Sequence, residues 1–195
     1  MDVNCLLFDD FELLDLFGPV EVLGNVKEYD VKYFSMNGGT VNGRLNAKIT
    51  TENIAALKPE GILVLPGGRG TRTLVDDAAF IGKLRSLAEE SQWCLTICTG
   101  SALLAKTGLL DNRGATSNKM AFRWAKDAGE KVNWIYRARW VVDGKYYTSS
   151  GVSAGIDMAL GFVHDRFSAE EARKIASRIE YDWRNDKDND PFAVA

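Results

Sequence analysis

Apolar residues fall along this chain in two alternating patterns. Short unbroken runs, Val3 to Phe8, Val31 to Met36, Gly61 to Leu65 and Trp93 to Ile97, are bounded by turn residues and read as buried strands. Between and after them lie segments whose apolar positions recur at steps of three and four, the period of a helix. Phe11 to Val26 carries Leu13, Leu14, Phe17, Val20 and Leu23 in this way, and Asp76 to Ser91, Thr99 to Lys106, Lys119 to Ala128 and Val152 to Phe167 follow. The alternation predicts an α/β fold, a mainly parallel sheet covered by helices on both faces. Gly18-Pro19 is expected to break or restart the first helix, because proline lacks an amide donor and crowds the preceding turn. The glycine- and asparagine-rich stretch from Asn37 to Asn46 predicts a short hairpin arm leading into Lys48 to Thr51. Val132 to Val142 and Tyr146 to Ser149 read as strands joined through Asp143-Gly144. A last helix is predicted from Ala169 to Trp183, opened by a Ser168/Glu171 capping box. Residues 185–195 then read as a charged tail on a single domain spanning 1–184.

Composition narrows the function more than the fold. A length of 195 residues suits one domain at roughly 150 residues each. The 24 basic and 27 acidic side chains nearly cancel to a net charge of −3, which supplies no field for nucleic acid or an anionic bilayer. No segment approaches the roughly 18 apolar residues of a membrane span, and with no basic stretch ahead of an apolar run at Met1-Asp2-Val3-Asn4 no leader is expected. Three cysteines, Cys5, Cys94 and Cys98, form an odd and sparse set, so a reducing, cytoplasmic setting is expected. The one histidine, His164, leaves no ligands for a His-based metal site, and no metal is expected. Gly67-Gly68-Arg69-Gly70-Thr71 lacks the Gly-Lys-Ser/Thr ending of a phosphate loop, so no nucleotide or other cofactor is expected.

The chemistry centres on Cys98. Trp93 to Ala102 passes from strand to helix within two residues, with Cys98 at the corner and Gly100 behind it. A side chain there projects above the carboxyl edge of the sheet, where open α/β folds bind ligands, and the amides of the next helix favour a thiolate or oxyanion beside it. Cys94 and Cys5 lie inside predicted strands and read as core. Gly151-Val152-Ser153-Ala154-Gly155 matches the G-x-S-x-G pattern of serine hydrolases. His164, however, would stand roughly 16 Å up the same helix, so no triad closes; Ser153 reads instead as an N-cap.

Four stretches in this order, Leu14 to Val22, Leu65-Pro66-Gly67-Gly68, Cys98-Thr99-Gly100-Ser101 and Gly151 to Asp157, resemble the ThiJ/PfpI family of class I glutamine-amidotransferase-like proteins, nearest to its isonitrile hydratase branch. The resemblance implies a flavodoxin-like three-layer sandwich with a cysteine nucleophile elbow, commonly a homodimer, acting on a small molecule. It implies Cys98 as nucleophile and Asp15 as its acid, with amides near Gly67, Gly68 and Thr99 forming an anion pocket. Where many relatives carry histidine after Ala-Thr-Ser, this chain has Asn118, which can donate a hydrogen bond but cannot act as a base. That loss disfavours a Cys-His-Glu triad and leaves thiol-and-carboxyl chemistry, such as isonitrile hydration to an N-substituted formamide. A Cys98 redox sensor and a glyoxalase-like or amidase-like enzyme are the alternatives.

Overall fold

In the computed structural model, which describes residues 1–194, the chain opens with β1 (Asp2–Leu6), α1 (Leu13–Leu23) and β2 (Asp30–Ser35). The hairpin arm follows as β3 (Gly39–Asn42) and β4 (Lys48–Asn53), antiparallel to each other. Then come β5 (Ile62–Leu65), a single turn α2 (Thr71–Leu74), α3 (Ala78–Glu90), β6 (Trp93–Ile97) and α4 (Gly100–Lys106). The second half comprises β7 (Gly114–Ala115), α5 (Phe122–Ala128), β8 (Asn133–Trp134), β9 (Trp140–Asp143), β10 (Tyr146–Ser149), α6 (Ala154–Arg166) and α7 (Ala169–Arg178).

The eight-stranded main sheet runs β3-β4-β2-β1-β5-β6-β10-β9. Its neighbours pair in parallel from β4 to β10, and only the two edges are antiparallel. The central strands are buried throughout, as strands covered on both faces must be: Ile62, Leu63, Val64 and Leu65 are fully inaccessible, as are Cys5 and Cys94. Strand order reverses between β1 and β5, since β1 leads outward to β2 while β5 leads to β6 on the other side. Right-handed crossovers therefore send α1 to one face and α3 to the other, and a crevice opens at the carboxyl ends of β1, β5 and β6. Every segment expected to carry chemistry leaves the sheet at that edge or at the end of adjoining β10.

Four local expectations need correction. Gly18-Pro19 does not interrupt α1, which runs through both residues. A methyl group on Gly18 would sit 2.7 Å from Ile156 Cγ1, so the glycine brings α1 close against α6, and this packing outweighs the amide that Pro19 lacks. The predicted strand Val132 to Val142 is two strands in two sheets: β8 pairs with β7, β9 with β10. Between them the backbone turns to send Arg139 inward. The last helix stops at Arg178, where the chain unwinds through Glu180 at φ 51°. Its capping box is half made: Ser168 accepts the Glu171 amide, while the Glu171 carboxylate pairs with Lys174.

Candidate active site

Cys98 occupies the corner between β6 and α4 with φ 57°, a left-handed conformation that a residue with a side chain adopts only under constraint. The constraint is visible on both sides of its peptide. Its amide donates to the carbonyls of Ser149 (3.2 Å) and Ser150 (3.0 Å). Its carbonyl accepts from the hydroxyls of Ser101 (2.9 Å) and Ser117 (3.0 Å). The thiol thereby points out of the sheet edge yet stays buried, with the residue only 7% exposed. The amides of Thr99 and Val152 and the Asp15 carboxyl lie near enough to the thiol to shift its proton affinity.

Asp15 comes from the first turn of α1 and is fully inaccessible. Its Oδ2 accepts the Gly67 amide at 3.0 Å, and its buried Oδ1 has no hydrogen-bond partner among the described residues. Burial lifts its pKa to about 7, helped by the charge of Glu12 and opposed by the Gly67 amide and the Cys98 thiol. Burial also pushes the Cys98 thiol up, with Asp15 adding to the rise and the Thr99 and Val152 amides opposing it. The helix-terminal amides thus do not produce the resting thiolate that the corner position suggests; desolvation and the neighbouring carboxyl win. Near pH 7 the two groups hold at least one proton between them.

Two of the amides expected to line an anion pocket already have partners. The Gly67 amide is taken by Asp15, and the Gly68 amide donates to Thr99 Oγ1 at 3.0 Å. Thr71 Oγ donates to the Gly68 carbonyl at 2.7 Å and lies 3.1 Å from Thr99 Oγ1, fixing the loop after β5. The amides that oppose the rise in the thiol's proton affinity are those of Thr99 and of Val152, a residue at φ 31° just before α6. Val152 stands inside the G-x-S-x-G match, at the start of the helix that this pattern precedes. Ser153 holds the N-cap position of α6 without making a side-chain cap bond. Asn118 lines a cavity of about 250 Å³ with Val152, its Oδ1 accepting the Ala121 amide at 3.1 Å. His164 lies exposed on α6 against Trp183. Among the described residues no group of three His, Cys, Asp or Glu side chains converges to hold a metal ion. No described helix is long and apolar enough to cross a membrane.

The family model for the DJ-1/PfpI family matches residues 1–165. The chain belongs to the DJ-1/PfpI family. This DJ-1/PfpI chain is 30% identical over 187 residues to isonitrile hydratase of Pseudomonas putida, covering 93% of its own length and 78% of the relative's. It is 26% identical over 198 residues to the HTH-type transcriptional regulator GbdR of Pseudomonas aeruginosa, of which it spans 53%. Among solved structures it resembles a ThiJ/PfpI family protein from Pseudomonas syringae, with TM-score 0.81 and 23% identity over 98% of this chain and 77% of that one. The likeness bears out the three-layer α/β fold. The DJ-1/PfpI family therefore holds enzymes and regulators alike.

Sequence reasoning missed a second polar cluster of this DJ-1/PfpI chain. Arg139 is buried and donates to Asp157 Oδ2 from Nε at 2.7 Å, with Nη2 at 2.5 Å, while its Nη1 reaches Asp190 Oδ1 at 3.3 Å. Ser150 Oγ hydrogen-bonds to Asp190 Oδ2, and the Lys119 ammonium lies 3.7 Å from the same oxygen. The charged segment after Trp183 is thus held against the sandwich by a buried carboxylate. Arg72 is stacked 3.6 Å over the Trp124 ring.

Proposed function

We propose that this protein is a cysteine-dependent hydratase that converts an isonitrile to an N-substituted formamide, with Cys98 as nucleophile and Asp15 as proton carrier. The observation that supports this reading best is the buried thiol–carboxyl pair with no imidazole beside it. An isonitrile carbon must gain both a nucleophile and a proton, and a thiol facing a carboxyl group of pKa about 7 supplies both. Sγ bonds to the terminal carbon while the thiol proton passes through the Asp15 carboxyl to that carbon, giving an S-linked thioimidate. Water then adds across the C=N bond, its hydroxyl to carbon and its proton to nitrogen. Collapse of the tetrahedral adduct forms the formamide C=O, breaks the C–S bond, and returns the hydroxyl proton to sulfur through Asp15. The Thr99 and Val152 amides stabilise negative charge on sulfur as it forms and leaves.

On the hydratase reading the partner is a small molecule and the working unit a cytoplasmic homodimer, which light scattering checks in solution. The direct test supplies isonitriles labelled with carbon-13 at the terminal carbon and follows the formyl signal of the product. Cys98→Ala should retain the thermal midpoint within a few degrees and lose turnover by at least about 10³-fold. Undiminished formamide production by Cys98→Ala overturns the mechanism, and no turnover of any isonitrile overturns the activity.

A further inference from the structure

The cavity lined by Val152 and Asn118 is bounded elsewhere by Met120, Gly151 and Phe192. Its connection to the Cys98 corner is short, since the Cys98 amide donates at 3.0 Å to the carbonyl of Ser150, which lines the cavity. Two of its apolar walls are anomalous as core residues: Met120 is fully exposed and Phe192 is 66% exposed. Large apolar side chains held together at the surface beside a reactive group mark a binding rim. Phe192 belongs to the charged segment that follows the last helix, and that segment is fixed in place. Asp190 is buried on Arg139, Ser150 and Lys119, and its amide donates to the Arg137 carbonyl at 2.7 Å. The Lys187 carbonyl accepts the Arg139 amide at 2.8 Å, and the Phe192 amide donates to Asp190 Oδ1 at 3.1 Å. The position of the Phe192 ring is therefore set two residues from a buried ionic anchor.

We propose that residues 185–193 form a strap that completes the site, and that Phe192 with Met120 selects substrates whose substituent is uncharged and apolar, an alkyl or aryl group. The identity of the reacting group rests on the hydratase reading; the selection does not. Among the described residues that line the cavity Lys119 is the one cation, and it is not free to receive an anion. The Lys119 ammonium points away into Thr116 Oγ1 (3.0 Å), the Ala138 carbonyl (2.7 Å) and Asp190, and presents only its stem. An anionic substituent would lose hydration there without gaining a partner, whereas an alkyl or aryl group removes Phe192 and Met120 surface from water. Asn118 and Ser153, whose hydroxyl makes no cap bond, are polar side chains left at the wall to orient the reacting end.

Competitive alkylation of Cys98 tests this without any assumption about turnover. Iodoacetamide, N-benzyl iodoacetamide and iodoacetate are reacted with the full chain, and modification at Cys98 is timed by intact mass and peptide mapping. Each rate is divided by that for iodoacetamide, which cancels changes in thiol reactivity. The native protein should favour the benzyl reagent by about tenfold and disfavour iodoacetate. Phe192→Ala, a change at an exposed position, should cut the benzyl preference by about threefold or more while leaving the thermal midpoint in place. Asp190→Asn, which loosens the anchor, should flatten it in the same direction. Absence of a benzyl preference in the native chain, or a preference unchanged in Phe192→Ala, overturns the proposal. A preserved preference in a protein that makes no formamide defeats only the hydratase reading, and formamide made without any preference defeats only the strap.

Discussion

Asp15 pays for its place beside Cys98 with proton affinity, and that exchange is measurable. In the unfolded chain its carboxyl titrates near 3.9; in the folded protein burial raises this to about 7. Between those values the folded state binds the proton more tightly, so the contribution to stability is full below pH about 4 and is lost as pH rises through 7. Three pK units amount to roughly 4 kcal/mol. Asp15→Asn keeps an oxygen for the Gly67 amide and cannot ionise. Its thermal midpoint should therefore gain on that of the native protein by several degrees between pH 4 and pH 8, while turnover falls by at least about 10²-fold. Melting curves that shift in parallel with pH would remove the raised carboxyl from the argument. The chemical weight of Asp15 was not legible from its own position, where an acid in the first turn of a helix is equally a surface cap; the family resemblance singled it out, and the structure shows it buried against the thiol.

At the level of elements, the central sheet could be read because β1, β5 and β6 are covered on both faces and so appear as unbroken apolar runs ending in turn residues. The Cys98 corner could be read for the same reason, since β6 ends abruptly where α4 begins. Periodicity does not say which partner a strand chooses, and so Val132 to Val142 looked like one element when its halves serve different sheets. Gly18-Pro19 misled in the opposite sense, a local helix breaker overruled by the contact of α1 with α6. That contact predicts an outcome. Gly18→Val places methyl groups where Ile156 already stands, so chemical denaturation should register a loss of about 1 to 3 kcal/mol. Because Asp15 is three residues away on the same helix, turnover should fall further than the lost stability explains. A variant as stable and as active as the native chain would show that α1 and α6 separate at no cost.

Across the whole molecule, the Arg139 cluster joins segments that are far apart in sequence. Asp157 comes from α6, Asp190 from the strap, and Ser150 from the loop whose carbonyl also holds the Cys98 amide. Tyr181 and the Arg184 amide add two more donors to Asp157, at 3.3 and 2.9 Å. None of this is visible along the chain, because Asp190 sits in a run of charges that reads as solvated until its distant counter-ions are known. Two carboxylates that share one guanidinium depend on it: Arg139→Met leaves Asp157 without its cation and Asp190 with Lys119 alone. Removing one partner of a buried ion pair costs about 3 to 5 kcal/mol. The strap is held by the backbone bonds from Arg139 to Lys187 and from Asp190 to Arg137 as well as by the charges, so its amides report the loss directly. Hydrogen exchange in Arg139→Met should show the amides of position 139, Trp140 and Asp190 opening before those of β5 and β6, with the benzyl preference at Cys98 falling alongside. Uniform acceleration across all these amides would instead mean that the cluster supports the fold as a whole and gives the strap no attachment of its own.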